Sequence, residues 1–374
     1  MTTAEEAAQQ FLIGIRKLDN SDPVGAEIHL RRVLQLQPDH AEAHYKLANA
    51  LIEQGRSADA ERHFGAALGL NPRYAEAHNN LGALLQSLGR SLEAAASYRR
   101  ALRANPLLQQ PYLNLGRLLQ ELGRTEEAQA CYREALDRGL DEGVFSHLLV
   151  AAQGANAAQP QSIAAKAPQS YVRETFDGFA GQFDRHLLGT LDYRIPEMIG
   201  VAVRELSPPA SLDILDLGCG TGLCGIQLKD LARSMTGVDL SPKMLDLARA
   251  RGCYTELAEM EIGAYLAVQT SDRIDLVVAA DVFIYIGDLA EVLRETVRIL
   301  RPGGLIAFSI ERPGSVCDSF RLEPSGRYAH ALDHVRGLAQ RAGLRERICR
   351  SVVVRKHGPT ELAGELLLLQ RPAL

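Results

Sequence analysis

The chain lacks tryptophan and is poor in other aromatic residues, which make up only 5% of its 374 positions. Its net charge is only −5, because lysine and arginine nearly balance aspartate and glutamate. Nucleic-acid binding draws on dense positive charge, and single strands also stack on aromatic side chains. The composition therefore disfavours a nucleic-acid partner.

Cysteine is also scarce, with six scattered residues and no pair in C-x-x-C spacing. This pattern disfavours both a zinc site and a disulfide framework, so we expect no metal. Reduced thiols are typical of the cytoplasm, which is the location we predict. The longest apolar run, Leu366 to Leu369, is far too short to cross a bilayer, and we expect no membrane association.

The first part of the chain is an internal repeat with a period of 34 residues. Its period appears in two sets of turn residues, Gly55, Gly89 and Gly123, and Pro38, Pro72 and Pro106. Each unit holds two apolar helical stretches around a glycine turn, which resembles the tetratricopeptide repeat. The sequence therefore predicts an all-α solenoid of four repeats and a capping helix over residues 1–153.

The resemblance to tetratricopeptide repeats implies a curved inner surface that binds a peptide or protein. The positions expected on that surface are Tyr45, Asn49, Asn80, Asn114 and Arg117. In similar repeats, the positions of Asn80 and Asn114 hold peptide backbone amides. Two alternatives stay open: the asparagines satisfy local backbone groups, or the repeats serve dimerisation or internal packing.

Residues 154–169 are small, polar and marked by proline, which predicts a linker. Beyond it, strand-like and helix-like runs alternate, a pattern typical of a parallel sheet with helical crossovers. We therefore predict an α/β doubly wound, Rossmann-like domain over residues 170–374. Its last two strands are expected to form a hairpin, over residues 345–354 and 363–370.

The run Asp213-Ile-Leu-Asp-Leu-Gly-Cys-Gly-Thr-Gly222 predicts a buried strand followed by a glycine-rich turn. Glycine lets the backbone approach a ligand closely because it has no side chain. The run resembles the signature loop of class I S-adenosylmethionine-dependent methyltransferases. That resemblance implies a seven-stranded sheet with an antiparallel final strand, and S-adenosylmethionine as the cofactor.

The same resemblance implies which residues hold the cofactor. Gly218, Gly220 and Gly222 would form the turn, and Asp216 would order it or bind the amino group of the methionine part. Asp239, about 20 residues beyond the turn, would accept hydrogen bonds from the ribose, although it could instead cap the next helix. The remaining candidates are Leu240 and Met244 against adenine, Glu259 near its amino group, Asp281 near the methionine part, and Tyr171 in an aromatic segment over the cofactor.

A rival interpretation comes from Gly220-Thr-Gly-Leu-Cys-Gly225, which also spells the G-x-G-x-x-G of dinucleotide-binding proteins. Its first glycine stands two residues late relative to the end of the strand. It also leaves Asp216 and the Leu-Arg-Pro-Gly-Gly run at 300–304 unexplained. Methyl transfer is therefore the favoured chemistry.

Methyl transfer from a sulfonium requires that the acceptor be aligned with the methyl group and that water be excluded. A base is needed only if the acceptor must first lose a proton. His186 and His330 are candidates for such a base, and Arg327 for binding an acceptor carboxylate. The predicted function is methylation of a peptide or protein recruited by the repeats. The alternatives are a small-metabolite methyltransferase whose repeats serve assembly, and a non-catalytic scaffold.

Overall fold

The computed structural model describes residues 2–154, 165–179, 184, 189, 192–208, 211–357 and 360–373. The chain divides into two compact units, Met1–Ala152 and Gln153–Leu374. Among the described residues, no helix has both the length and the apolar character needed to cross a membrane.

The first unit consists of helices joined by short turns. They are α1 (Thr3–Asp19), α2 (Pro23–Leu36), α3 (Ala41–Glu53), α4 (Ser57–Leu70), α5 (Ala75–Ser87), α6 (Ser91–Ala104), α7 (Gln109–Glu121), α8 (Thr125–Asp137) and α9 (Glu142–Gln153). The repeat glycines Gly55, Gly89 and Gly123 have φ between +71° and +76°, and Ser21 takes the same place in the first repeat with φ of +55°. These left-handed residues end one helix of each pair and start the turn to the next.

Small residues let the two helices of a repeat approach each other. A Cβ on Gly116 in α7 would lie 2.2 Å from the ring of Tyr132 in α8. The equivalent pair, Gly82 in α5 and Tyr98 in α6, shows the same fit, at 2.6 Å. Both tyrosines are buried, so each ring fills the space that the missing side chain leaves.

The second unit is built on strands β1 (Leu212–Leu217), β2 (Ala232–Asp239), β3 (Glu256–Glu259), β4 (Ile274–Ala279), β5 (Leu300–Glu311), β6 (Phe320–Leu322), β7 (Tyr328–His330), β8 (Arg345–His357) and β9 (Thr360–Gln370). Its helices are α10 (Gln169–Phe179), α11 (Ile195–Glu205), α12 (Leu223–Leu228), α13 (Pro242–Ala250), α14 (Ile262–Val268), α15 (Ala290–Ile299) and α16 (Leu332–Arg341).

The main sheet has the order β3-β2-β1-β4-β5-β9-β8 among the described residues. The first five strands are parallel, whereas β9 inserts antiparallel between β5 and β8. Two separate hydrophobic clusters cover the sheet, one packed with α14 to α16 and the other with α11 and α12. The predicted fold class, repeats followed by a doubly wound seven-stranded domain, is confirmed.

The observed strands differ from the predicted ones at several places, and β8 (Arg345–His357) and β9 (Thr360–Gln370) are both longer than the predicted runs 345–354 and 363–370. An additional hairpin, β6 with β7, follows β5 in a stretch for which no strand is predicted from the sequence. The sequence pattern predicts the third strand near residues 254–257, whereas β3 spans Glu256–Glu259. The turn after β3 therefore falls two residues later than predicted.

Candidate active site

A pocket opens where the glycine-rich turn after β1 meets the ends of β2 and β4. Its empty volume is about 1040 Å³, part of which is open to solvent. Ligands of doubly wound sheets bind at this carboxyl edge of the strands. The predicted site residues that line it are Asp216, Gly218, Gly220, Asp239, Leu240 and Asp281.

The glycines of the turn adopt left-handed angles, with φ of +63° at Gly218, +53° at Gly220 and +90° at Gly222. Residues with a Cβ rarely adopt such angles. A Cβ on Gly218 would lie 2.6 Å from Val282, whereas one on Gly220 would meet no atom within 4 Å. Packing therefore requires glycine at 218, while Gly220 presents bare backbone to the pocket.

Asp239 ties the glycine turn to the end of β2. Its Oδ2 accepts a hydrogen bond from the Gly220 N–H and its Oδ1 one from the Ser241 N–H, both at 2.9 Å. The cap of α13 is Ser241, whose Oγ accepts from the Met244 N–H at 3.1 Å. Since each carboxylate oxygen can accept a second hydrogen bond, Asp239 retains capacity for ligand hydroxyls. Burial raises the pKa of Asp239, which its backbone donors partly offset.

Asp216 is buried beneath the pocket and has a partner that the sequence analysis missed. The Tyr254 hydroxyl donates a hydrogen bond to Asp216 Oδ2 over 2.6 Å. Burial raises the pKa of Asp216 to about 7, against the opposing effect of this hydrogen bond. The two residues stand 38 positions apart, and no local pattern marks Tyr254.

Asp281 follows the end of β4 and has a left-handed conformation, with φ of +57°. Its N–H donates to Ser309 Oγ at 2.9 Å, and its Oδ2 accepts from Arg355 Nη1 at 2.6 Å. Arg355 is buried and also pairs with the buried carboxylate of Glu311. Such pairing is what allows charges to remain buried, and it fixes the Asp281 side chain at the pocket wall.

Comparison with known families matches both units. Residues 215–308 match the model of a methyltransferase domain, and residues 11–61, 45–107 and 110–138 match models of the tetratricopeptide repeat. The chain joins tetratricopeptide repeats to a methyltransferase domain. The cofactor that this implies is S-adenosylmethionine.

Curated relatives match the methyltransferase domain over part of their length. The ubiquinone biosynthesis O-methyltransferase of Albidiferax ferrireducens is 30% identical over 112 residues, which are 29% of this chain and 44% of the relative. The malonyl-[acyl-carrier protein] O-methyltransferase of Serratia marcescens is 35% identical over 104 residues, 28% of this chain and 40% of the relative. The chain thus spans less than half the length of these relatives.

Among solved structures, an S-adenosylmethionine-dependent methyltransferase from Mesorhizobium loti is 24% identical. The match covers 46% of this chain and 96% of that protein, with a TM-score of 0.35.

The composition of the pocket fits S-adenosylmethionine better than a dinucleotide. Its described lining includes Lys166 and four acidic residues, Asp216, Asp239, Glu261 and Asp281. Lys166 is paired with Glu261 at 3.3 Å and Arg355 with Asp281 at 2.6 Å, so the negative character of the described lining comes from Asp216 and Asp239. Negative surroundings favour a ligand with sulfonium and ammonium charges and oppose a pyrophosphate. The bare backbone at Gly220 and the acceptors of Asp239 are the groups that would hold it.

The last glycine of the rival G-x-G-x-x-G spelling has a packing role in the methyltransferase domain. A Cβ on Gly225 would lie 2.8 Å from the Tyr254 ring. Gly222 shows the same constraint, since its Cβ would lie 3.0 Å from that ring. These two glycines therefore make room for a tyrosine.

At the end of β3 the structure places Glu261, and not Glu259, in the pocket lining. Glu259 lies within β3 and pairs with Arg173 at 3.3 Å, with about half of its side chain exposed. Glu261 caps α14, where its Oε2 accepts from the Ala264 N–H at 2.9 Å. The shifted boundary of β3 explains why the prediction named the neighbouring glutamate.

Helix α10 and the residues before it cover part of the pocket, as Lys166, Ala167, Gln169, Val172 and Phe176 all line it. Arg173 Nε donates to the Leu240 carbonyl at 3.1 Å, and Ser241 Oγ donates to Asp177 at 2.5 Å. These hydrogen bonds hold α10, which we call the α10 cover together with the residues before it, against the turn after β2.

Other predicted residues are not among the described pocket lining. Tyr171 is buried and packs edge-on against Tyr285, which does line the pocket. Met244 is buried in α13, and Arg327 lies next to the Tyr285 hydroxyl. His186 falls outside the described residues.

His330 is buried in β7 with Nε2 at 2.9 Å from the Ile286 carbonyl oxygen and 3.2 Å from that of Gly287. Because both partners are acceptors, Nε2 carries the hydrogen. Burial lowers the pKa of His330 to about 4, so the ring is neutral at physiological pH. It does not line the pocket within the described residues, and this geometry favours a structural role.

The repeat unit brings its predicted surface residues together in an amide network. Asn80 Nδ2 donates to the Tyr45 hydroxyl and to Asn49 Oδ1, both at 3.1 Å. Asn114 Nδ2 donates to Asn79 Oδ1 at 3.0 Å, and Asn79 Nδ2 donates to Asn80 Oδ1 at 3.1 Å. The network spans α3, α5 and α7. Arg117 also lies on α7, half-buried.

Proposed function

We propose that this protein transfers the methyl group of S-adenosylmethionine to an acceptor bound at the pocket next to Asp281. The observation that carries the proposal is the acidic pocket formed by the bare backbone of Gly220, the carboxylate of Asp239 and the end of β4. The bound cofactor supplies an electrophilic methyl group. The chain's own residues bind and orient the reactants, and the α10 cover excludes water.

We propose further that the acceptor is a peptide or protein recruited by the repeats. Support comes from the side-chain amides aligned across α3, α5 and α7, which include Asn80 and Asn114. Asn80 uses both donor hydrogens within the network, but its oxygen can accept a second hydrogen bond, and Asn114 donates only one of its two hydrogens there, so the network can bind an extended peptide backbone through these groups. The half-buried phenol of Tyr45 adds an apolar surface beside them.

A small acceptor is the second candidate, favoured by the names of the curated relatives. One is a ubiquinone biosynthesis O-methyltransferase, and another acts on malonyl-[acyl-carrier protein]. In this alternative the repeats serve oligomerisation or docking of a partner. Among the described residues that line the pocket, none distinguishes a peptide side chain from a small molecule.

Methyl transfer in a cell extract separates the two acceptor classes. The protein is incubated with tritiated S-adenosylmethionine and an extract of a producing strain from which its gene has been deleted. A peptide or protein acceptor places the label in acid-precipitable material, whereas a small acceptor places it in the soluble, solvent-extractable fraction. Label in neither fraction, despite cofactor binding by calorimetry, would contradict methyl transfer and favour a scaffold.

A further inference from the structure

Tyr254 lies outside the described pocket lining, yet it contacts the carboxylate beneath that pocket. The residue precedes β3, and its hydroxyl reaches Asp216 Oδ2 over 2.6 Å. Asp216 is 1% exposed and does line the pocket. The hydroxyl thus contacts a carboxylate of the pocket, although Tyr254 is not among the described lining residues.

Three glycines from three different elements form a slot for the Tyr254 ring. A Cβ on Gly222 of the turn would lie 3.0 Å from the ring, one on Gly225 of α12 would lie 2.8 Å away, and one on Gly237 of β2 would lie 3.0 Å away. A side chain on Gly225 would displace the ring, and one on Gly222 or Gly237 would crowd it, since the Cβ of Gly237 would also lie 2.8 Å from Leu257 and 2.9 Å from Cys219. The absence of side chains at these glycines leaves room for the ring, whose hydroxyl donates a hydrogen bond to Asp216.

Of the groups found to act on the pKa of Asp216, Tyr254 is the one that stabilises the ionised carboxylate. Burial is the main cause that raises the pKa of Asp216, and the like charge of Asp239 at the end of β2 raises it further. The thiols of Cys219 and Cys224 and the phenol of Tyr193 also lie near, and burial raises the pKa of each, so they are neutral. The Tyr254 hydroxyl is neutral for the same reason and acts only as a donor.

We propose that Tyr254 is a positioning residue whose hydroxyl holds Asp216 as an oriented carboxylate beneath the pocket, and so sets the pH range in which the pocket binds its cationic cofactor. The inference rests on the proposed function, because the ligand of Asp216 is taken to be S-adenosylmethionine or its product. The carboxylate attracts a cation only when ionised, and a hydrogen-bond donor favours that form.

The test is calorimetric titration of the full chain with S-adenosylhomocysteine, from about pH 5.5 to about pH 8.5. In the parent protein, affinity should rise with pH around a midpoint near 7, where Asp216 ionises. Tyr254→Phe should move this midpoint upward and weaken binding at neutral pH about tenfold, since a bond to a charged acceptor is lost. The affinities of the parent and of Tyr254→Phe should differ least at about pH 8.5, where Asp216 is ionised in both.

Tyr265→Phe provides the matched control, because it removes a hydroxyl from α14 outside the described pocket lining and should keep the parent profile. Asp216→Asn should abolish the pH dependence, and adding Tyr254→Phe to it should then change nothing. A parent-like profile in Tyr254→Phe, or a persistent pH dependence in Asp216→Asn, would overturn the inference. If the parent protein binds no S-adenosylhomocysteine at any pH, the proposed function itself fails.

Discussion

At the scale of single residues, Asp239 couples the shape of the glycine turn to ligand binding. Its two oxygens accept hydrogen bonds from the N–H groups of Gly220 and Ser241, so the carboxylate joins the glycine turn after β1 to the turn after β2. The same carboxylate lines the pocket. Loss of its charge should therefore weaken the ligand contact directly and loosen the backbone at Gly220.

Asp239→Asn should weaken S-adenosylmethionine binding by roughly ten- to a hundredfold, as lost hydrogen bonds to a charged group cost about 1.5–3 kcal/mol. Calorimetric titration measures the effect. Asp246→Asn, the same change at an exposed site on α13, is the control and should bind as the parent does. Equal affinities in all three proteins would show that Asp239 does not contact the cofactor.

At the scale of elements, the repeat helices depend on glycine where a tyrosine crosses them. Gly116 in α7 has the ring of Tyr132 at 2.2 Å from the place of its absent Cβ, whereas Gly65 in α4 has no atom within 4 Å of that place. Both glycines are helical, so intrinsic propensity alone would favour alanine equally at both. Packing therefore decides whether replacing the glycine by alanine raises or lowers the free energy of unfolding.

Gly116→Ala should lower the stability of the repeat unit by about 1–3 kcal/mol, the usual cost of overpacking. Gly65→Ala should instead raise it by up to about 1 kcal/mol, through helix propensity. Urea unfolding followed by circular dichroism on residues 1–153 measures both. A stabilising effect of Gly116→Ala would show that α7 and α8 do not pack as described.

At the scale of the whole molecule, the proposed function divides two tasks between the two compact units. The described residues that line the pocket belong to Gln153–Leu374, and the described residues of the amide network belong to Met1–Ala152. Each unit has its own hydrophobic clusters. The two tasks should therefore be separable by mutation.

Replacing Asn80 and Asn114 by alanine in the full chain should leave S-adenosylmethionine affinity unchanged and reduce methyl transfer to protein at least about tenfold, because recognition amides are lost. Arg62→Ala, on the exposed side of α4, is the control. Deleting residues 1–153 should have the same effect as the double substitution. Unimpaired labelling by the truncated chain would contradict recruitment through the repeats.

Features with a local signature could be predicted from the sequence. The glycine and proline period fixed the register of the repeats, and the glycine turn placed Gly218, Gly220 and Asp239 around one pocket because the ends of parallel strands share an edge. The alternation of strands and helices predicted the parallel sheet, and the resemblance to class I methyltransferases implied seven strands with an antiparallel final strand. Each of these depends on neighbours in the chain.

Contacts between distant residues could not be predicted in the same way. Tyr254 reaches Asp216 across 38 residues, and Arg355 reaches Asp281 across 74, with no periodicity to mark either pair. Strand β3 spans Glu256–Glu259, and Glu261 after its end lines the pocket in place of the predicted Glu259. A shift of two residues in a strand boundary is thus enough to change a predicted site residue.

The central claim is that the pocket beside the glycine turn binds S-adenosylmethionine. A crystal structure of the full chain grown with S-adenosylhomocysteine tests it most directly. We expect density for the ligand against the backbone of Gly220, with its ribose hydroxyls on the Asp239 carboxylate and its amino-acid part toward Asp216. An empty pocket at saturating ligand, or density at another place on the chain, would contradict the account.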